Sequence, residues 1–67
     1  MSSEEIRKKF KKARKELGLT QKEVAKKAGI HFNHYNRIEN GKASPSIKVA
    51  EEIAKALKIK SSDIFSY

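Results

Sequence analysis

The sequence contains no cysteine, and this absence excludes several kinds of site. Without thiols the chain cannot form a disulfide framework, a zinc site with thiolate ligands or a cysteine nucleophile, and it cannot be regulated by thiol oxidation. No apolar run approaches the roughly 18 residues that a membrane helix needs, and the N-terminus has no apolar signal region. We therefore expect a cytoplasmic protein, without membrane insertion, that is stabilised by packing alone.

Acidic residues are also few, with 8 Asp and Glu against 16 Lys and Arg, which gives a formal net charge of +8. A basic chain suits a polyanionic partner, although charge alone does not choose between nucleic acid and an acidic membrane. The length of 67 residues leaves room for one domain over 1–67. A domain of this size has a barely sufficient core, so self-association often helps.

Two short helices joined by a glycine turn are the clearest structural signal in the sequence. Thr20 and Glu23 have the spacing of a capping box, which predicts a helix from Gln21 to about residue 28. Gly29 can supply the left-handed conformation that ends this helix. A second helix is predicted over about 32–40. Two helices at this spacing are typical of a helix-turn-helix that reads DNA.

Apolar spacing predicts further helices on both sides of this pair. The helix before it ends at Gly18, and its inward residues are Ile6, Phe10, Ala13 and Leu17. The helix after it is capped by Ser46 and carries an apolar stripe that is wide enough for contacts on two sides, marked by Ile47, Ala50, Ala54 and Leu57. The segment 61–67, capped by Ser61, can add one or two helical turns. Because no strand pattern occurs, the expected fold is all-α, a compact bundle of four to five short helices.

The helix predicted over 32–40 has two faces of different chemistry. One face turns Tyr35 and Ile38 inward. The opposite face displays polar side chains, Asn33, Asn36, Arg37 and Asn40. Asn can pair with adenine through N6 and N7, and Arg with guanine through O6 and N7, so these side chains are of the kind that reads bases. Phe32 lies at the boundary, where it either contacts a thymine methyl or covers the edge of the core.

The chain also contains four motifs in order: L-T-Q-x-E-V-A, A-G-I, R-I-E-N-G-K followed by S-P-S, and A-K-A-L-x-I. Their order and spacing resemble the Cro and phage-repressor-like helix-turn-helix family, also called the XRE family. The resemblance spans nearly the whole chain. It implies a lambda-repressor-like domain whose third helix enters the DNA major groove.

The resemblance implies roles for individual residues. Gln21 matches a glutamine that binds a phosphate near a helix N-terminus, where anions are favoured. The positions that face bases in the family correspond to His31, Phe32, Asn33, Asn36 and Arg37. The loop that approaches the DNA backbone corresponds to Asn40, Lys42 and Ser44. Arg14 and Glu39 match a structural ion pair between the first helix and the end of the third. Each role has a plainer alternative. Gln21 can be an ordinary exposed residue, and the base-facing positions can be a solvated helix face. The loop can be a simple turn, and the ion pair can be two unpaired surface charges.

Three departures from the family pattern bear on the site. Tyr35 stands where a smaller aliphatic residue is common, so its hydroxyl reaches solvent, donates to a phosphate, or is accommodated by different packing. Lys58 stands where a glycine commonly closes the fourth helix, so the geometry of that turn is not implied. His31 and Phe32 replace smaller or more polar residues, so known operator sequences do not transfer to this chain.

The sequence therefore predicts a sequence-specific, double-stranded DNA-binding transcriptional regulator, a repressor that binds as a homodimer. The expectation of a dimer rests on the small size, the wide apolar stripe before residue 58 and three late apolar residues, Ile64, Phe65 and Tyr67. The alternative is a protein-binding antitoxin or adaptor with weak DNA binding. We expect no enzymatic activity and no cofactor, and His31 and His34 lack the third ligand that a metal site requires.

Overall fold

The computed structural model describes residues 3–60, and these form four α-helices and no strand. The helices are α1 (Ser3–Glu16), α2 (Gln21–Ala28), α3 (Phe32–Glu39) and α4 (Ile47–Ala56). The predicted all-α class is confirmed, and α2 and α3 are the predicted helix-turn-helix. The predicted final turns over 61–67, with the Ser61 cap and the apolar Ile64, Phe65 and Tyr67, lie outside the described residues.

Local hydrogen bonds fix where α2 begins and ends. The Thr20 hydroxyl accepts from the backbone N–H of Glu23 at 3.1 Å, and the Glu23 carboxylate accepts from the backbone N–H of Thr20 at 3.0 Å. This is the predicted capping box, which satisfies two N–H groups that the helix itself leaves unpaired. Gly29 follows with φ 72 and donates its N–H to Lys26 O at 3.2 Å. The turn between α2 and α3 is therefore determined by short-range sequence.

The end of α4 has the same kind of turn, although it lacks the glycine. Lys58 adopts φ 58, in the left-handed region, and its N–H donates to Lys55 O at 3.2 Å. The N–H of Ile59 donates to Ala54 O at 2.8 Å, which completes the closing turn of the helix. A side chain in this conformation costs about 1 to 2 kcal/mol, so the fold keeps the turn at the expense of some strain.

The core lies where α2 packs against both α3 and α4, and α1 also packs against α3. Its buried members are Phe10, Val24, Ala25, Ala28, Tyr35, Ile38, Ala50, Ile53, Ala54 and Leu57. Two residues expected on inward stripes are instead exposed, Leu17 at 42% and Ile47 at 69%. Leu17 lies in the turn after α1 has ended at Glu16, and Ile47 is the first residue of α4, where no described residue covers it.

Candidate nucleic-acid interface

The buried face of α3 determines which of its side chains reach the surface. Tyr35 and Ile38 are 0% and 1% exposed, so the helix is held against the core along this side. The predicted base-reading residues divide into two groups. His31, Asn33 and Arg37 are exposed, whereas Phe32 and Asn36 are half-buried. The structure thus places these five side chains around the N-terminal and outer parts of one short helix.

His31 has a structural role that the sequence did not indicate, because it is the N-cap of α3. Its Nδ1 accepts a hydrogen bond from the backbone N–H of Asn33 at 3.2 Å. Ser, Thr, Asp and Asn are the usual residues at this position, so a histidine gives no recognisable capping signal. With Nδ1 used as an acceptor, the neutral imidazole carries its hydrogen on Nε2, which remains available as a donor.

Phe32 packs against the core from the rim of the site. It is half-buried, and the Nζ of Lys22 lies 5.6 Å from the centre of its ring. This distance is within the range of a cation–π interaction, which adds modestly to stability at an exposed site. Of the two alternatives for Phe32, covering the edge of the core describes its contacts in the structure. Sequence reasoning did not identify Lys22, because it is one of several exposed lysines on α2.

The loop after α3 is tied to the helix by the main chain of Arg37. Its carbonyl oxygen accepts from the N–H groups of Lys42 at 2.8 Å and Ala43 at 3.2 Å. The loop residues that the sequence assigned to the DNA backbone, Asn40, Lys42 and Ser44, are all exposed. Gly41 has φ 74, and the Nε of Arg7 would lie only 2.9 Å from a Cβ built there. The structure therefore places a second cation, Arg7 of α1, next to this loop. It was not identified from the sequence.

Arg14 and Glu39 form a bidentate ion pair beneath the interface. Arg14 Nε and Nη2 donate to Glu39 Oε2 and Oε1, each at 2.9 Å, and Nη1 donates to the carbonyl of Leu19 at 2.9 Å. The side chains are only 14% and 1% exposed. The pair joins α1 and the turn before α2 to the end of α3. Two parallel hydrogen bonds in a low-dielectric site give the pair a fixed geometry as well as energy.

The protonation of Glu39 follows from these contacts. Burial alone would raise the pKa of the Glu39 carboxyl group, but the hydrogen bond from Arg14, the nearby Tyr35 hydroxyl and the hydrogen bond from Gln21 together outweigh it, and the net pKa is lowered. The hydrogen bond to Glu39 in turn raises the pKa of Arg14. The pair is therefore fully ionised at neutral pH.

Tyr35 lies beside this pair, and its environment decides among the alternatives that the sequence left open. Its side chain is 0% exposed, and burial raises the pKa of its hydroxyl, as does the nearby Glu39. Among residues 3–60 the hydroxyl makes no hydrogen bond of good geometry. Solvent exposure of the hydroxyl and donation to a phosphate are both wrong, because different packing buries the whole side chain.

A set of carboxamides extends from Glu39 to the surface. Gln21 Nε2 donates to Glu39 Oε1 at 3.2 Å, and Gln21 Oε1 accepts from Asn36 Nδ2 at 2.9 Å. Asn36 Oδ1 then accepts from Asn40 Nδ2 at 3.3 Å. The sequence assigned Gln21 to a phosphate, Asn36 to a base and Asn40 to the loop, each separately. The structure brings them together in one hydrogen-bonded line.

The part of the chain that the structure describes contains neither a metal site nor a membrane span. Within residues 3–60, no group of three or more His, Asp or Glu side chains is placed to hold a metal ion. No helix in this range has both the length and the apolar character needed to cross a membrane.

The ionised Glu39 should make the stability of the protein sensitive to acid. The folded-state pKa of Glu39 lies below the ordinary value of 4.5. The stabilisation that the ionised carboxylate gives the folded state is therefore complete above pH 4.5, and it is lost as the pH falls through the folded-state pKa. Thermal melts from neutral pH into the acid range should show that Glu39→Gln has a lower melting temperature than the wild type at neutral pH. This difference in melting temperature should become smaller in acid. The matched control is Glu52→Gln, which removes an exposed pair with Lys55 at 3.6 Å and should parallel the wild type. A gap for Glu39→Gln that stays constant with pH would contradict this account.

Comparison with known proteins identifies the class to which this fold and surface belong. The helix-turn-helix family model matches residues 10–64, so the chain belongs to the helix-turn-helix family. The resemblance to the XRE type of helix-turn-helix is confirmed. The matched region contains α2, α3, α4 and most of the residues described above.

Several relatives share this family and carry names that state a role. A protein of Methanocaldococcus jannaschii named as an uncharacterized HTH-type transcriptional regulator is 47% identical over 49 residues, covering 73% of this chain and 74% of its own. One of Archaeoglobus fulgidus with the same description is 36% identical over 62 residues, covering 92% and 87%. The Bacillus subtilis regulator YqaF is 48% identical over 52 residues, covering 78% and 68%. No solved structure gave a significant match.

Proposed function

We propose that this protein is a transcriptional regulator that binds duplex DNA sequence-specifically and represses by occupying an operator. The observation that carries the proposal is the exposed outer face of α3, where Asn33 and Arg37 stand beside Asn36 on a helix whose inner face is buried. A helix held in this way can enter a major groove with its polar side chains toward the base edges. The relatives named as transcriptional regulators support the same role.

Contacts to the DNA backbone are proposed on both sides of this face. At one side, Gln21 is the first residue of α2, where helix N–H groups and the macrodipole favour a phosphate. One hydrogen of its carboxamide is used within the protein, so the other can still donate to a phosphate oxygen. At the other side, Asn40, Lys42 and Ser44 are exposed on the loop that follows α3. The net charge of +8 favours association with a polyanion at long range.

We propose further that the protein binds as a homodimer with its two recognition helices about 34 to 36 Å apart, one turn of DNA. Two observations support self-association. The chain has only 67 residues, and Ile47 at the start of α4 leaves 69% of its apolar surface exposed, which is available for contact with a second copy. A symmetric pair of domains would read a two-fold symmetric operator.

Selection of bound duplexes from a random-sequence pool tests these proposals together. A sequence-specific homodimer should enrich two inverted half-sites whose centres lie about 10 base pairs apart. A single half-site would contradict the dimer while leaving sequence recognition intact. Uniform weak binding without a consensus would contradict the regulator and favour the protein-binding adaptor.

Substitutions on the two parts of the surface should separate base recognition from backbone contact. Arg37→Ala should weaken binding to the selected operator by about 1 to 3 kcal/mol and relax preference at one base pair of each half-site. Lys42→Ala should weaken binding to all sequences alike. It should also lower the number of counterions released on binding, read from the salt dependence, by about one. Fluorescence anisotropy titrations at several salt concentrations measure both effects.

The matched control for these variants is Lys55→Ala, since Lys55 is an exposed lysine on α4, outside the proposed interface. It should leave the base preference unchanged and have the smallest effect on affinity. If Arg37→Ala weakened all sequences equally while Lys42→Ala changed the base preference, the two roles would be reversed.

A further inference from the structure

The hydrogen-bond relay formed by Glu39, Gln21, Asn36 and Asn40 runs from the core to the proposed DNA-reading surface. Its first residue is 3% exposed and its last is exposed. The three hydrogen bonds measure 3.2, 2.9 and 3.3 Å, and each joins residues from different helices or successive turns. The ion pair explains how Glu39 is held, but it does not explain why three further side chains are connected to it.

The chemistry of the carboxylate fixes the direction of every bond in the relay. An ionised carboxylate can only accept hydrogen bonds, so Gln21 must turn its NH₂ group toward Glu39. Gln21 Oε1 then faces Asn36, which must donate through Nδ2. Asn36 Oδ1 consequently faces Asn40, which must donate in turn. A carboxamide can normally rotate to exchange its two ends, and here a buried charge removes that freedom from Gln21 and Asn36.

The relay leaves Asn36 able to read a base. A carboxamide has two N–H hydrogens and two oxygen lone pairs, and the relay uses one of each. Asn36 therefore retains one donor and one acceptor with fixed positions. In the major groove adenine offers the complementary pair, an N7 acceptor and an N6 donor, whereas guanine offers two acceptors. A reversed Asn36 would present its oxygen to N7, where two acceptors repel.

We propose that Glu39 is a positioning residue for base recognition, which acts through Gln21 to fix the orientation of the Asn36 carboxamide and so sets a preference for adenine. This inference rests on the proposed function, because it requires α3 to lie in a major groove. It assigns Glu39 a second role that is separable from its ion pair with Arg14. The two roles make different demands, since the ion pair needs the positive partner and the relay needs only a group that cannot donate.

The test compares Glu39→Gln with Arg14→Lys in competition binding against operators changed at one base pair at a time. The carboxamide that Glu39→Gln introduces can donate as well as accept, so Gln21 and Asn36 are free to reverse. The preference for adenine over guanine should fall roughly tenfold at a single base pair and stay unchanged elsewhere. Arg14→Lys loses the bidentate geometry but keeps the carboxylate, so it should lower the melting temperature without changing the base preference.

Gln21→Ala provides a second test that leaves the ion pair intact. It interrupts the relay after Glu39, so it should weaken the preference for adenine at the same base pair as Glu39→Gln does. Any loss of the phosphate contact of Gln21 should weaken binding to all sequences equally. The two substitutions combined should weaken the base preference at that position no further than either substitution alone. The proposal is overturned if Glu39→Gln keeps the wild-type base profile, or if Arg14→Lys alters the profile as much as Glu39→Gln does.

Side-chain amide NMR separates the failure of this inference from the failure of the proposed function. In the free protein, Glu39→Gln should shift the side-chain amide resonances of Asn36 and Asn40, whereas Arg14→Lys should leave them near their wild-type positions. If the wild type selects no DNA sequence, the proposed function and the recognition role of Glu39 both fail. If it selects a sequence but Glu39→Gln leaves the Asn36 resonances unmoved, only the relay is refuted.

Discussion

Replacing Glu39 with alanine is expected to destabilise the protein by about 3 to 5 kcal/mol, because the substitution leaves a charged partner without its counter-ion in a poorly solvated site. Arg14 is that partner, with a side chain only 14% exposed. The single core of a domain of this size rarely supplies more than about 3 to 5 kcal/mol in total. Thermal and urea denaturation should therefore show a much lower free energy of unfolding than in the wild type. The loss should also exceed that of Glu39→Gln, whose carboxamide oxygen can still accept a hydrogen bond from Arg14.

The double substitution Arg14→Leu with Glu39→Leu is the matched control for this prediction. Replacing both partners with apolar residues removes the unpaired charge, so the double variant should be more stable than Glu39→Ala alone. If Glu39→Ala kept the wild-type melting temperature while losing DNA binding, the structural role of the ion pair would be wrong.

Tyr35→Ala is expected to cost a similar amount, about 3 to 5 kcal/mol, because it deletes a large buried ring and leaves a cavity. The Tyr35 side chain is 0% exposed and lies on the inner face of α3. Its loss therefore removes packing that holds the proposed recognition helix against the core. Chemical denaturation measures this cost directly.

Tyr35→Phe separates the ring of this residue from its hydroxyl. The hydroxyl makes no hydrogen bond of good geometry within the described residues, so its removal should change stability by less than about 1 kcal/mol. DNA affinity should stay at the wild-type value, since the group is buried. A large loss of affinity in Tyr35→Phe with unchanged stability would instead restore a role for the hydroxyl in binding phosphate.

Most of the helical framework could be predicted from short-range signals. Thr20, Glu23 and Gly29 specify the ends of α2 by chemistry that involves only their neighbours, and the structure has the same boundaries. The errors fall at helix termini. Apolar periodicity predicts a face but not what covers it, so Leu17 and Ile47 were assigned to stripes that the packing does not reach.

The candidate site was less predictable because its contacts depend on how α2 docks against α3. The family resemblance indicated the pair of Arg14 and Glu39, and in the structure Arg14 Nη2 lies 2.9 Å from Glu39 Oε1. No spacing rule connects Gln21 to Asn36, which are 15 residues apart in sequence. The buried Tyr35 hydroxyl and the histidine cap of α3 also arise from tertiary packing and an unusual residue choice. Composition and periodicity carry no information about such pairings.

The proposed function depends on the outer face of α3 reading the sequence of duplex DNA. The most direct measurement is the ratio of dissociation constants for the selected operator and for a shuffled duplex of the same length and composition, at one fixed salt concentration. We expect the operator to bind at least about 10³-fold more tightly than the shuffled duplex. Equal dissociation constants for the two duplexes, with a strong salt dependence for both, would show that only the phosphate backbone is recognised and would contradict the claim.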